Sequence, residues 1–229
     1  MFFGRKPAAP EPVGDDEFDD EERGDEADWE AIDEWQRLDL GQDWREDGPF
    51  DIDEVDLEAD DITRLDMGAL IVTPEDGLTI RLVKDSATDQ ILYVIAEDVG
   101  KSAAQIAVIA APADDDHRAE IRAGLIAATP DAKVTQLAKG PFGTEIRRVI
   151  SVTDDRGRES FVPMRDWLIA GPRWVLDVRL SGRAAIDPDD EDAVALLEEF
   201  VRNLIVRRGD VAMAPGSLLP LDAGQAAGA

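Results

Sequence analysis

The chain predicts an α+β fold, a mainly antiparallel sheet of about seven or eight strands covered by two helices. Three observations carry that reading. Strand-like apolar runs, several of them alternating with period two, begin after Leu65 and persist; two segments, near residues 117–128 and 191–204, repeat instead at helical spacing; and Gly, Pro and Asp cluster between them.

In chain order, GALIVTP (68–74) is an apolar strand ended by Pro, and LTIRLV (78–83) sets Leu78, Ile80 and Leu82 on one face, with PEDG as the tight turn between them. QILYVIAEDV (90–99) is apolar on both faces and reads as a central strand, followed by AAQIAVIAAP (103–112). Four strands in succession suggest an antiparallel meander. A helix follows, with Asp114 to Asp116 as N-cap, Ile121, Leu125 and Ala128 on its apolar face, and Thr129-Pro130-Asp131 as its stop.

The second run of strands starts with KVTQLAK (133–139) and turns at Gly140, Pro141 and Gly143 around Phe142. TEIRRVISVTD (144–154) and ESFVPMRDWLIA (159–170) flank Asp155-Arg156-Gly157 as a hairpin, and Pro163 argues for an edge or a bulge. In RWVLDVRLSG (173–182), Trp174, Leu176, Val178 and Leu180 face inward, and Arg173, Asp177 and Arg179 outward. The last helix is the clearest element: Ala193, Leu196, Leu197, Phe200, Val201 and Leu204 repeat at i, i+3, i+4, i+7, i+8 and i+11.

Charge divides the chain further. Residues 11–66 hold 26 of the 52 acidic side chains and four of the 24 Lys and Arg, within a total of −28. This composition predicts a disordered acidic arm over 1–47, an acidic hinge over 48–66, an α+β domain over 67–210 and a C-terminal tail over 211–229. Such a charge repels phosphate backbones and anionic lipid, so direct nucleic-acid binding is not expected. No run is long and apolar enough to span a bilayer, and cysteine is absent; the expected location is the cytoplasm.

Within the arm, Trp29, Ile32, Trp35 and Leu38 recur every three residues, so a short helix would gather Trp29, Ile32 and Trp35 along one side. Those rings either cap the protein's own core or form a recognition segment for another protein. The basic counterpart is Arg147, Arg148, Arg165, Arg173 and Arg179 on neighbouring strands: a solvated face paired with Glu145, Asp166 and Asp177, or a docking face for an anionic partner such as the arm itself.

Chemistry-bearing patterns are scarce. DIDEVDLEADD is dense in carboxylates but lacks the central Gly of an EF-hand loop, and His117, the only histidine, reads as an exposed helix-start residue. GxGxxG, P-loop and HExxH motifs do not occur, so neither a cofactor nor a metal is expected and no catalytic residue is assigned.

PFDIDEVDL, RLDMGALIVTP, KGPFGTEIR, GPRWVLDVRLSGRAA and FVRNLIVRRGDVAMAPGSLLPL resemble an uncharacterised actinobacterial family described only as a domain of unknown function. The resemblance runs from about Gly48 to Leu221 and implies no activity, cofactor or site; the family's genes often lie beside dUTPase. More loosely, the topology is similar to the PsbP-like fold of binding proteins. The expected function is a non-catalytic protein-binding or adaptor module. Its partner would be an unknown protein with a basic or apolar groove, or its own acidic arm. The alternative is an enzyme or small-molecule-binding protein connected with nucleotide or DNA metabolism.

Overall fold

The computed structural model describes residues 33–113, 116–153 and 155–227, and gathers twelve strands of these into one sheet. Its middle is two antiparallel meanders set side by side. β4 (Leu78–Lys84), β5 (Ile91–Asp98) and β6 (Ser102–Ala110) form the first, and β7 (Val134–Gly140), β8 (Gly143–Thr153), β9 (Glu159–Gly171) and β10 (Trp174–Gly182) the second. They join where β10 lies antiparallel to β6 in unbroken register, from Trp174 opposite Ala110 to Gly182 opposite Ser102.

Beyond β5 the sheet is made of pieces that the sequence assigned elsewhere. GALIVTP is not one strand: at Gly68, with φ +77°, the chain folds back and splits into β2 (Arg64–Gly68) and β3 (Leu70–Val72), paired Leu65 to Val72. β3 therefore does not neighbour β4, and the four-strand meander expected there has three strands. β3 pairs with β11 (Ile205–Val206), which pairs in parallel with β1 (Phe50–Asp51).

The tail expected to be surface coil is instead β12 (Leu221–Ala227), inserted between β2 and β5. Leu219 and Leu221 are buried there, and main-chain bonds from Leu219 to Val108 and from Gly216 to Ala110 bring the chain to that slot. The folded unit thus extends past the predicted 67–210 in both directions. Twelve strands rather than seven or eight result because β1, β2, β11 and β12 are short or poor in large apolar side chains, and only their pairing partners make them strands.

The acidic hinge is also built in. Asp51 caps a single 3-10 turn over Ile52–Glu54, whose Glu54 accepts from the Asp51 N–H, and Asp60 holds the buried Arg64 by two bonds of 2.9 and 2.8 Å. Val55 packs with Ile71 and Ile205 beneath that turn.

Helices cover both faces of the sheet. On one face lie α3 (Arg183–Ile186), a single turn, and α4 (Glu191–Arg202), capped by Asp190. α4 turns Leu197, Phe200 and Val201 onto Trp174, Leu176, Val178 and Leu180, all buried, as their alternation predicts. On the other face α2 (Arg118–Ala127) sets Ile121 and Leu125 against Ile109, Leu168 and Val175. Its cap position is His117 and makes no side-chain cap bond; Asp114 and Asp115 lie outside the described residues, and Asp116 accepts from the Arg118 N–H at 3.1 Å. His117 is not exposed as expected: its side chain keeps 13% of its accessible surface and its Nδ1 lies 2.9 Å from Glu120.

Candidate functional site

Position 33 opens a short helix by a capping box. Asp33 accepts from the N–H groups of Trp35 and Gln36 at 2.9 and 2.7 Å, and the Gln36 side chain accepts from the Asp33 N–H at 3.2 Å. The helix, α1 (Glu34–Leu40), has seven residues, too few to persist alone in water. What holds it is its single buried side chain, Asp39, which meets α2 and the start of β8.

Three donors converge on Asp39. Arg122 Nη1 donates to Oδ2 at 2.7 Å, the Thr144 N–H donates to Oδ1 at 2.6 Å, and Arg118 Nη2 donates to the Asp39 carbonyl at 3.0 Å. Arg118 and Arg122 are four residues apart and so share one face of α2. Asp39, Arg118 and Arg122 are all buried, with Asp39 at 3% exposure, so these are charge-assisted bonds in a largely water-free setting.

Gly143 makes the approach possible. It sits at φ +102° in the tight β7–β8 turn, and a Cβ built on it would stand 2.6 Å from Asp39 Oδ1. Beside it Phe142 is buried between the Trp167 ring, 5.3 Å away, and the Arg202 guanidinium, which fixes the turn against the core. Asp116 pairs with Arg118 from the other side. Burial works to raise its pKa, but the hydrogen bonds and charge of Arg118 prevail and hold it below the usual carboxylate range.

The segment after α1 is tied as well. Trp44 Nε1 donates to the Leu38 carbonyl at 3.0 Å and the Lys139 ammonium lies 5.5 Å from the Trp44 ring. Arg45 forks onto Glu54 with two 3.0 Å bonds and lies over the Trp174 ring, whose Nε1 donates to Asp51 at 2.7 Å. A pocket of about 90 Å³ remains between residues 39–45, Arg118 and the Ile169–Ala170 end of β9. The charge boundary at residue 47 is therefore not a boundary in the fold: residues 33–47, read as disordered arm, are packed on the domain.

Of the predicted aromatic residues, Trp35 lies half-buried on α1, its carbonyl accepting from Thr144 Oγ1 at 3.2 Å; Trp29 and Ile32 lie outside the described residues. The five arginines do not form one face. Arg147 and Arg165 point to the α4 side, where both bind Glu145, at 2.6 and 2.7 Å, and Trp167 Nε1 donates to the same carboxylate. Arg148 and Arg179 point to the α2 side, where both bind Asp166. Arg173 belongs to no strand; it occupies the turn before β10 at φ +62°.

Nor is the basic cluster solvated, since Arg148, Arg165, Glu145 and Asp166 are buried. Arg148 further donates to the Leu125 carbonyl and to Thr129 Oγ1, clamping the negative end of α2. Asp177, on that same side, has a buried oxygen with no hydrogen-bond partner. Burial raises its pKa to about 6; Arg179 and Arg148 oppose the rise and Asp166 adds to it. The residues that make the Asp39 site were missed from sequence. Asp39 is one acid among many, Arg118 and Arg122 carry no motif, and only the Gly143 turn was marked.

Fold and site together define an antiparallel α+β domain that carries a short N-terminal helix pinned by a buried carboxylate. By sequence, the chain belongs to the family described as "Protein of unknown function (DUF3710)", whose model matches residues 48–229. The residues around Asp39, namely Arg118, Arg122, Gly143 and Thr144, lie inside that match, and α1 with Asp39 lies before it. No curated protein matches the chain. Among solved structures it is similar to the solution structure of cyanobacterial PsbP (CyanoP) from Synechocystis sp. PCC 6803. The identity is 11%, over 60% of this chain and 86% of that one, and the TM-score is 0.34.

Proposed function

We propose that this protein is a non-catalytic protein-binding or adaptor module of the cytoplasm whose acidic, aromatic arm docks on its own domain. The observation that carries the reading is Asp39, a buried carboxylate reaching from a marginal helix into a basic notch of the domain. Two buried acids of the sheet support a binding role over chemistry, since Glu145 and Asp166 are each held by two arginines. No helix among the described residues is long and apolar enough to cross a membrane, which is in keeping with the proposed location.

The test is hydrogen exchange and tryptophan fluorescence of residues 34–44 across a salt titration. A dock resting on a buried ion pair is poorly screened, so these amides stay protected at 1 M salt, where the Debye length is about 3 Å. Exchange as fast as in a free peptide at every salt concentration overturns the reading.

A further inference from the structure

We propose that the notch formed by Arg118, Arg122, Gly143 and Thr144 is a receptor for the side-chain carboxylate of an acidic, tryptophan-bearing segment of another polypeptide, and that Asp39 fills it in cis until such a segment displaces it. The inference rests on the proposed docking of the arm and adds the identity of the site and of its competitor.

The notch has the parts of an anion receptor independently of what fills it. The Arg122 guanidinium and one strand-end N–H converge on the carboxylate, the Arg118 guanidinium one turn earlier on α2 takes the adjoining main-chain carbonyl, and the glycine beside them leaves the space a carboxylate oxygen needs. Its occupant is replaceable. Most of Asp33 to Asp43 is exposed, so α1 and its exit loop rest on the contacts of Trp35, Asp39, Trp44 and Arg45 rather than on a continuous apolar face.

Emptying the notch is unfavourable, and that selects exchange over simple release. Arg118 keeps Asp116 when Asp39 leaves, but among the described residues Asp39 is the only group to which Arg122 donates a hydrogen bond. Asp116 still attracts Arg122 through space, but a buried guanidinium that loses its hydrogen-bonded carboxylate is costly, so a second carboxylate entering as the first departs restores what is lost. The apparent Kd of an outside segment is then the intrinsic Kd divided by the fraction of molecules whose own arm is undocked.

The chemistry of the competitor follows from the neighbours. Asp116 already places a negative charge against Arg118, which disfavours a dianionic phosphate relative to a monoanionic carboxylate. Five residues beyond the carboxylate, an indole at the position of Trp44 meets the Lys139 ammonium. The matching segment is therefore an Asp followed at the fifth position by Trp, as in DLGQDW of this chain.

The experiment uses the full chain and a fluorescein-labelled peptide with the sequence of residues 33–47, DEWQRLDLGQDWRED, read by fluorescence anisotropy. The double variant Asp39→Ala/Trp44→Ala, which loses two of the cis anchors, is expected to bind the peptide saturably and at least tenfold more tightly than the unaltered protein. Adding Arg122→Gln to that variant, or replacing the peptide's own Asp39 by Asn, is expected to weaken binding at least tenfold. No saturable binding by a double variant that retains a cooperative melt overturns the proposal, as does equal binding of the Asn peptide. A peptide with phosphoserine in place of Asp39 that binds more tightly than the Asp peptide overturns the carboxylate assignment.

Should the double variant not fold, the unaltered protein decides. Excess Asp peptide is expected to raise amide exchange of residues 34–44 at least tenfold where the Asn peptide does not, and no such difference overturns the proposal. Protected amides in the unaltered protein with no binding in trans sink this inference alone. Amides already unprotected without peptide sink the docking reading beneath it.

Discussion

Replacing Asp166 by Ala tests how the arginine cluster on the α2 side stabilises the sheet. Asp166 has no exposed surface and accepts three charged bonds, from Arg148 Nε and Nη2 at 3.1 and 2.6 Å and from Arg179 Nε at 2.7 Å. Arg179 retains 25% side-chain exposure and can turn its head to water, whereas Arg148 retains 2% and cannot. Arg148 keeps the Leu125 carbonyl and Thr129, so the variant leaves half of one buried guanidinium unpaired. Breaking a buried pair in this way costs about 3–5 kcal/mol, and the retained bonds place this case near the lower end, roughly 3 kcal/mol. For a chain of this size that lowers Tm by about 6–12 °C. The assay is urea unfolding with an unchanged m-value, together with the double variant Arg148→Met/Asp166→Leu, which removes both charges and is expected to recover most of the loss. A loss below about 1 kcal/mol for Asp166→Ala, or a double variant worse than the single one, refutes the argument that the unpaired arginine is what costs.

Phe200→Asp is expected to abolish folding, because it removes a ring that is 1% exposed on the apolar face of α4 and leaves a carboxylate there without a partner; a cooperative melt near the parent's midpoint contradicts that orientation of the helix. Asp177→Asn bears on pH. The folded pKa of Asp177, about 6, lies above its ordinary value of 3.8, so the native state binds the proton more tightly and stability falls as pH rises from 3.8 through about 6. The full penalty above that window is roughly 3 kcal/mol. Asp177→Asn is accordingly expected to raise Tm at pH 7.5, with the gain shrinking toward pH 4; an equal effect at both values contradicts the assignment.

The elements legible in the sequence are those whose own residues state their environment. α4 carries its apolar stripe and its Asp190 cap in one contiguous stretch, and β10 alternates so strictly that Trp174, Leu176, Val178 and Leu180 could be turned inward before any partner was known. Burial of an amphipathic face is a local property of the pattern, so the chain determines it alone. The Gly140–Gly143 turn was legible for the same reason, since conformational freedom resides in the glycine itself.

What the tertiary structure decided is pairing. β12, with Gly, Gln and Ala among its seven residues, is a strand because an open slot between β2 and β5 offers its main chain partners, and no residue in it announces that slot. The arginines show the same limit for charge: neighbouring positions 147 and 148 project to opposite faces, each to a different buried acid, and only strand register assigns the acid. Asp39 is the extreme case. In a stretch rich in similar carboxylates, what distinguishes it is convergence on Arg122 and Thr144, which lie 83 and 105 residues away in sequence. A local pattern encodes which side of an element is apolar; it does not encode which distant donor completes a charge, because that bond exists only once the sheet and α2 have packed.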